Sequence, residues 1–185
     1  MRTLVRSVGR PSIGGEPLPS CFKAFESNKI VLRRSEVSMF AAAPGVGKST
    51  LALALALKMK VPTLYISADT NAHTMAMRLA SMISGKNQGD VEQLLNTDLG
   101  WTRAVLAKGS HIVWSFESAP TLQDIDEEVQ AFEELWGCPP VAIFVDNLMD
   151  VATDGGEEFA SMRAIMKELK YLARATNAAV VVLHH

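Results

Sequence analysis

An α/β fold, a mainly parallel sheet covered by helices on both faces, follows from three features of this 185-residue sequence. Short apolar runs alternate with longer stretches of helical composition. The short runs are almost continuously apolar, as in strands buried on both sides. A glycine-rich turn joins the first of them to a helix. Strands are predicted at Val37–Ala41, Val61–Ser67, His111–Phe116, Val141–Val145 and Ala179–Leu183, with helices over about 48–59, 72–84, 121–136 and 157–175.

Each element has its own local reason. Residues 9–20, GRPSIGGEPLPS, hold too much Gly, Pro and Ser for a helix or a ladder and read as a loop. Leu51, Leu53, Leu55 and Leu57 alternate with Ala, a period that taken alone suggests a strand. Leu and Ala are strong helix formers and the preceding turn demands a helix start, so this stretch is read as a buried helix. Thr121 follows Pro120 and precedes Asp124 by three residues, a cap that opens the helix over 121–136. Met162, Ile165, Met166, Leu169 and Leu172 recur at spacings of three and four, an apolar stripe that belongs to the core.

Length and composition narrow the field. A chain of 185 residues, 48% hydrophobic and 21% charged, accommodates one domain and a short appendage. It divides into an N-terminal arm or linker, 1–36, and a core, 37–185. The arm has a surplus of four positive charges, so residues 37–185 carry a net −6. Such an arm either touches phosphates or is a solvated tail. Cys21 and Cys138 lack metal-ligand spacing and read as free thiols of a reducing, cytoplasmic environment. The longest apolar run, Leu51–Leu57, falls well short of the roughly 20 residues that span a bilayer, and no secretory signal is evident.

Residues 42–50, AAPGVGKST, fit G-x-x-x-x-G-K-[ST] with Ala42 in place of the first glycine. Gly45 and Gly47 let the backbone wrap closely and turn its N–H groups onto a polyphosphate, at the positive end of the next helix. Ala43, Pro44, Gly45, Val46, Gly47, Lys48, Ser49 and Thr50 therefore form the predicted ATP-binding set. Lys48 approaches the β- and γ-phosphates, the Ser49 hydroxyl ligates Mg²⁺, and Thr50 reaches the α-phosphate.

Two apolar strands end in acids, TLYISAD at Asp69 and VAIFVD at Asp146. The carboxyl ends of parallel strands line the ligand crevice of an open sheet. Asp146 is read as a Mg²⁺ ligand through water, the alternative being a helix cap; for Asp69 the alternative is to cap the helix over 72–84. The last strand brings His184 and His185 to the same edge.

With these residues in place, the chain resembles the RecA-type ATPases, and among them the motor domain of DnaB-like and RepA-type hexameric replicative helicases. FAAAPGVGKSTLALALA, LYISADTNAHTMAMRLAS, HIVWSFESAPTLQDI, VAIFVDNLMDV and MKELKYLARATNAAVVVLHH carry the likeness over roughly residues 30–185. The resemblance implies a RecA-like, doubly wound core, here incomplete at its C-terminal side, with the sensor strand between the phosphate-loop and Asp146 strands. It implies Mg²⁺-dependent ATP hydrolysis, binding of single-stranded DNA, and a homo-oligomer, a hexameric ring in the complete protein. By position it makes Lys48 and Asp69 catalytic, Asp69 standing where the family has a water-activating glutamate. His185 falls at the sensor of the γ-phosphate, and Asp150–Gly156 at the first DNA-contacting loop, here acidic.

The chain departs from the family at Asp69, one methylene shorter than Glu, and lacks an arginine finger and a second DNA loop. A ring motor on DNA is the leading reading. An ATP-binding switch or helicase-loader partner with weak hydrolysis, and a RecA-type recombinase, are the alternatives.

Overall fold

A computed structural model describes residues 15–152 and 158–185 of the chain. Five strands form one all-parallel sheet: β1 (Val37–Ala41), β2 (Thr63–Ser67), β3 (Ile112–Ser115), β4 (Ala142–Asp146) and β5 (Ala179–His184), in the order β1-β5-β4-β2-β3. β5 thus lies between β1 and β4, where the resemblance places it. The central strands β2 and β4 are buried at every residue, which is why their sequences are apolar without alternation.

Side-chain parity assigns the two faces. Tyr65 of β2, Phe144 of β4, and Val181 and Leu183 of β5 point to one face, into a cluster with Leu53 and Leu55 of α2 (Lys48–Met59) and with Met75 and Leu79 of α3 (Ala72–Ser84). Leu64, Ile66, Ile143, Val145, Val180 and Val182 point to the other. There α6 (Leu122–Trp136) contributes Ile125, Val129 and Phe132, and α7 (Glu158–Thr176) contributes Ile165, Leu169 and Leu172. The Leu/Ala alternation over 51–57 is helical, as the adjacent turn requires.

Three helices escape the sequence reading. α1 (Lys23–Ser27) lies in the segment 15–36, which packs on the core through Leu18 and Leu32; Pro17 there bridges Arg33. α4 (Gln88–Thr97) and α5 (Leu99–Leu106) form a third cluster in which Val91 and Val105 meet Ala80 of α3. Both are short, contain glycine and bury little, so their apolar period is faint. Their signal was at the ends: Asn87 accepts from the Asp90 N–H (2.9 Å) and Asp98 from the Trp101 N–H (2.8 Å).

Boundaries shift by one or two residues for physical reasons. β2 begins at Thr63, after Pro62, which has no N–H for a ladder. β4 runs on to Asp146, which is paired with Ser67, and β5 to His184, paired with Ala41.

Candidate nucleotide-binding site

Residues 42–47 connect β1 to α2 at the carboxyl edge of the sheet, and their side chains are exposed. Gly45 (φ 79°) and Gly47 (φ 96°) hold left-handed backbone that a side chain would strain, and Gly47 is the residue that caps α2. Lys48 opens the helix and is 9% exposed. Its Nζ donates to the carbonyl oxygens of Ala42 (2.6 Å) and Ala43 (2.9 Å), which fold the ammonium over the loop. A phosphate oxygen placed there would compete for its three N–H donors. Thr50 is exposed one residue beyond Ser49.

Asp146 has the same parity on β4 as Phe144, so its carboxylate lies on the α2 face. It is buried, and both oxygens are engaged. The Ser49 hydroxyl donates to Oδ1 (3.0 Å) and the Tyr65 hydroxyl to Oδ2 (2.9 Å). Tyr65 is held between Phe144, stacked at 5.4 Å, and Trp114 at 5.0 Å. Burial raises the Asp146 pKa; the Tyr65 and Ser49 hydrogen bonds oppose that, and the Asp69 charge adds to it. Burial and then the Asp146 charge push the Tyr65 hydroxyl well above its ordinary value, so it stays a donor at neutral pH. These bonds tie the first turn of α2 and the strand β2 to the carboxylate that ends β4. Asp146 does not cap a helix; Asn147, joined to it by a cis peptide, caps the 3₁₀ turn Leu148–Asp150.

Asp69 stands exposed two residues beyond β2, and its Oδ1 accepts from the Thr70 hydroxyl (2.8 Å). Arg78 of α3 approaches the same hydroxyl (3.5 Å), and its charge acts on Asp146 and Tyr65. The cap of α3 is Asn71, which accepts from the Thr74 N–H (2.9 Å); Asp69 does not serve that purpose.

Beyond β5 the two histidines part. His184 has its Nδ1 buried without a hydrogen-bond partner among the described residues. His185 is exposed, and its Nε2 lies 3.1 Å from the Asn147 amide nitrogen. Of the expected DNA loop, residues 153–157 lie outside the described residues.

Tyr65, Arg78 and Asn147 were not singled out by the sequence. The available signal was a phenol in the middle of a fully buried strand and an amide directly after the strand-end acid; Arg78, in mid-helix, had none. As to metal, Ser49 Oγ and the Asp146 carboxylate are hard oxygen donors on one side of the loop, a set that suits Mg²⁺ shared with phosphates.

Comparison with known proteins bears on the family and the fold. A family model described as an AAA domain matches residues 28–185. The Gene 65 protein of Mycobacterium phage L5 is 34% identical over 175 residues, covering 92% of this chain and 65% of its own length. The Gene 65 protein of Mycobacterium phage D29 is 35% identical over 156 residues, covering 78% and 64%. The chain thus spans just under two thirds of these relatives. Among solved structures, one described as an ATPase domain matches with a TM-score of 0.78 at 18% identity, over 90% of this chain and 62% of that one. A DnaB-like replicative helicase, described with its interactions with primase, matches with a TM-score of 0.77 at 18% identity, over 90% and 43%. With a phosphate loop at the head of α2, an acid closing β4 and β5 lying between β1 and β4, the chain belongs to the AAA domain family and has the RecA-type P-loop ATPase fold of DnaB-like motor domains.

Proposed function

We propose that this chain is the ATPase core of a DnaB-like helicase, a ring motor that hydrolyses ATP to move along single-stranded DNA. The observation that carries the reading is convergence. The Ser49 hydroxyl bonds the Asp146 carboxylate beside the loop that Lys48 closes, at the sheet edge where Asp69 follows β2 and His185 follows β5.

Ser49, and Asp146 through water, would hold Mg²⁺, which when bound supplies positive charge to the β- and γ-phosphates. The residues of the chain do the rest. The loop N–H groups and Lys48 bind and neutralise phosphate oxygens, Tyr65 keeps the Asp146 carboxylate turned toward Ser49, and Asp69 orients the attacking water as a general base. His185 donates to the γ-phosphate. The arginine that completes such a site would come from a neighbouring subunit.

Strand binding draws support from α7. Arg163, Lys167, Lys170 and Arg174 recur at spacings of four, three and four, so one exposed helix face carries four cations at intervals suited to a phosphate backbone. A switch with weak hydrolysis is the second reading, favoured by the short side chain of Asp69 and its engagement by Thr70.

Turnover of ATP by residues 1–185 and by a longer chain, each with and without single-stranded DNA, tests the reading. Strand-stimulated turnover confined to the longer chain supports the ring motor. Tight ATP binding with negligible, DNA-indifferent turnover in both supports the switch.

A further inference from the structure

Asn147 is 4% exposed, and its side chain bonds both within the turn that follows β4 and to His185 beyond β5. Its Oδ1 accepts from the Met149 N–H at 2.7 Å. A backbone N–H can only donate, so this contact settles which end of the amide is oxygen. The NH₂ group therefore faces away from Met149, toward two acceptors. One of its hydrogens goes to Asp150 Oδ2 (2.8 Å), the other to His185 Nε2 (3.1 Å). An imidazole nitrogen that receives a hydrogen bond carries no hydrogen, so the His185 ring proton sits on Nδ1.

That assignment has a chemical consequence. Phosphate oxygens accept hydrogen bonds, so a histidine that reads a γ-phosphate must offer an N–H. With Nε2 committed to Asn147, the donor is Nδ1–H. We propose that Asn147 is a positioning residue: it sets the tautomer of His185 so that Nδ1–H is the group offered to the γ-phosphate. Through its second hydrogen it joins the histidine to Asp150, the last residue of the 3₁₀ turn Leu148–Asp150. The phosphate half of this inference rests on the ATP-binding reading above; the tautomer does not.

The test is the ¹⁵N spectrum of the histidine side chains in the nucleotide-free protein, where each nitrogen's shift reports whether it bears hydrogen. His185→Gln identifies the His185 signals among the four histidines. The expected result is a protonated Nδ1 and a bare Nε2. Finding the proton on Nε2 in the wild-type chain overturns the proposal outright, and this arm needs no variant to fold. Asn147→Asp keeps the acceptor for the Met149 N–H but replaces the donor facing His185 with an acceptor. The ring proton is expected to move to Nε2, whereas in Asn147→Ala it distributes between the two nitrogens.

Binding of a non-hydrolysable ATP analogue and of ADP is then compared. Both variants are expected to bind the triphosphate roughly threefold to tenfold more weakly, the range for one lost hydrogen bond, with ADP affinity unchanged. Equal weakening of both nucleotides would assign Asn147 a merely structural role and overturn the γ-phosphate claim. If the wild-type chain has the Nδ1 tautomer but binds neither nucleotide, the ATP reading fails while the positioning of His185 by Asn147 stands.

Discussion

At the scale of residues, the Asp146 carboxylate is the point on which the site depends. It is buried, held by two hydroxyls from different elements, and raised in pKa by that burial. Removing one hydroxyl without disturbing the ring stack isolates its contribution. If Asp146 holds Mg²⁺ as proposed, Tyr65→Phe is expected to raise the Mg²⁺ concentration needed for nucleotide binding or turnover by about 10-fold to 100-fold, the usual cost of losing a partner behind a metal ligand. A Mg²⁺ titration measures it, with an unchanged circular dichroism spectrum as the control. In the proposed mechanism Asp69 poses the opposite question, since its carboxylate reaches one methylene less far than a glutamate's. If reach limits hydrolysis, Asp69→Glu raises the turnover number; a lowered turnover number would show that the present length is already matched to the attacking water.

At the scale of elements, the helices and strands that frame the crevice are secured at their ends. Thr121 and Asp124 form a reciprocal capping box at the start of α6: the Asp124 N–H donates to Thr121 Oγ1 (3.1 Å) and the Thr121 N–H to Asp124 Oδ2 (2.8 Å). Thr121→Ala is expected to cost about 1 kcal/mol in urea unfolding, a typical loss for a hydroxyl cap. His111 ties the start of β3 to α2, its Nε2 lying 3.0 Å from the Ala56 carbonyl oxygen. Burial lowers its pKa, opposed by the Ala56 carbonyl and assisted by the Lys60 charge. The unfolded chain then takes up the proton more readily than the folded one. The stabilisation is full above the unfolded value of about 6.5 and is lost as pH falls through the lower, folded value. Thermal melts of the wild type should fall between about pH 7.5 and pH 5.5, and His111→Gln should flatten that slope.

Across the whole molecule, nucleotide binding and folding are linked, because the loop, Asp146 and Tyr65 are brought together only in the folded sheet. At a concentration of about 100 times its dissociation constant, a nucleotide that binds only the folded state adds about 2.7 kcal/mol. For a domain of this size that is a rise of roughly 5–10 °C in Tm. Calorimetry with Mg²⁺ and ATP should show such a rise in the wild type and none in Lys48→Ala, whose fold is expected to persist because Lys48 bonds only to loop carbonyls.

Much of this was legible in the chain itself, for reasons that are local. Strand or helix follows from the period of apolar residues, as in the fully buried run of β4 or the Met/Leu stripe of α7. The phosphate loop follows from glycine, lysine and serine at fixed spacing. Both are properties of residues close in sequence. What tertiary structure alone decided are relations across the chain. Asn147 and His185 are 38 residues apart, and Tyr65 and Asp146 are 81 apart. The resemblance already implies that β5 lies beside β4, but not that β2 flanks β4 on its other side in a register that pairs Ser67 with Asp146. Among mostly apolar strands, no pattern of residues states which strand pairs with which. The order is seen only in the folded sheet, whose faces α2, α3, α6 and α7 cover, and it fixes the partners of every group in the site.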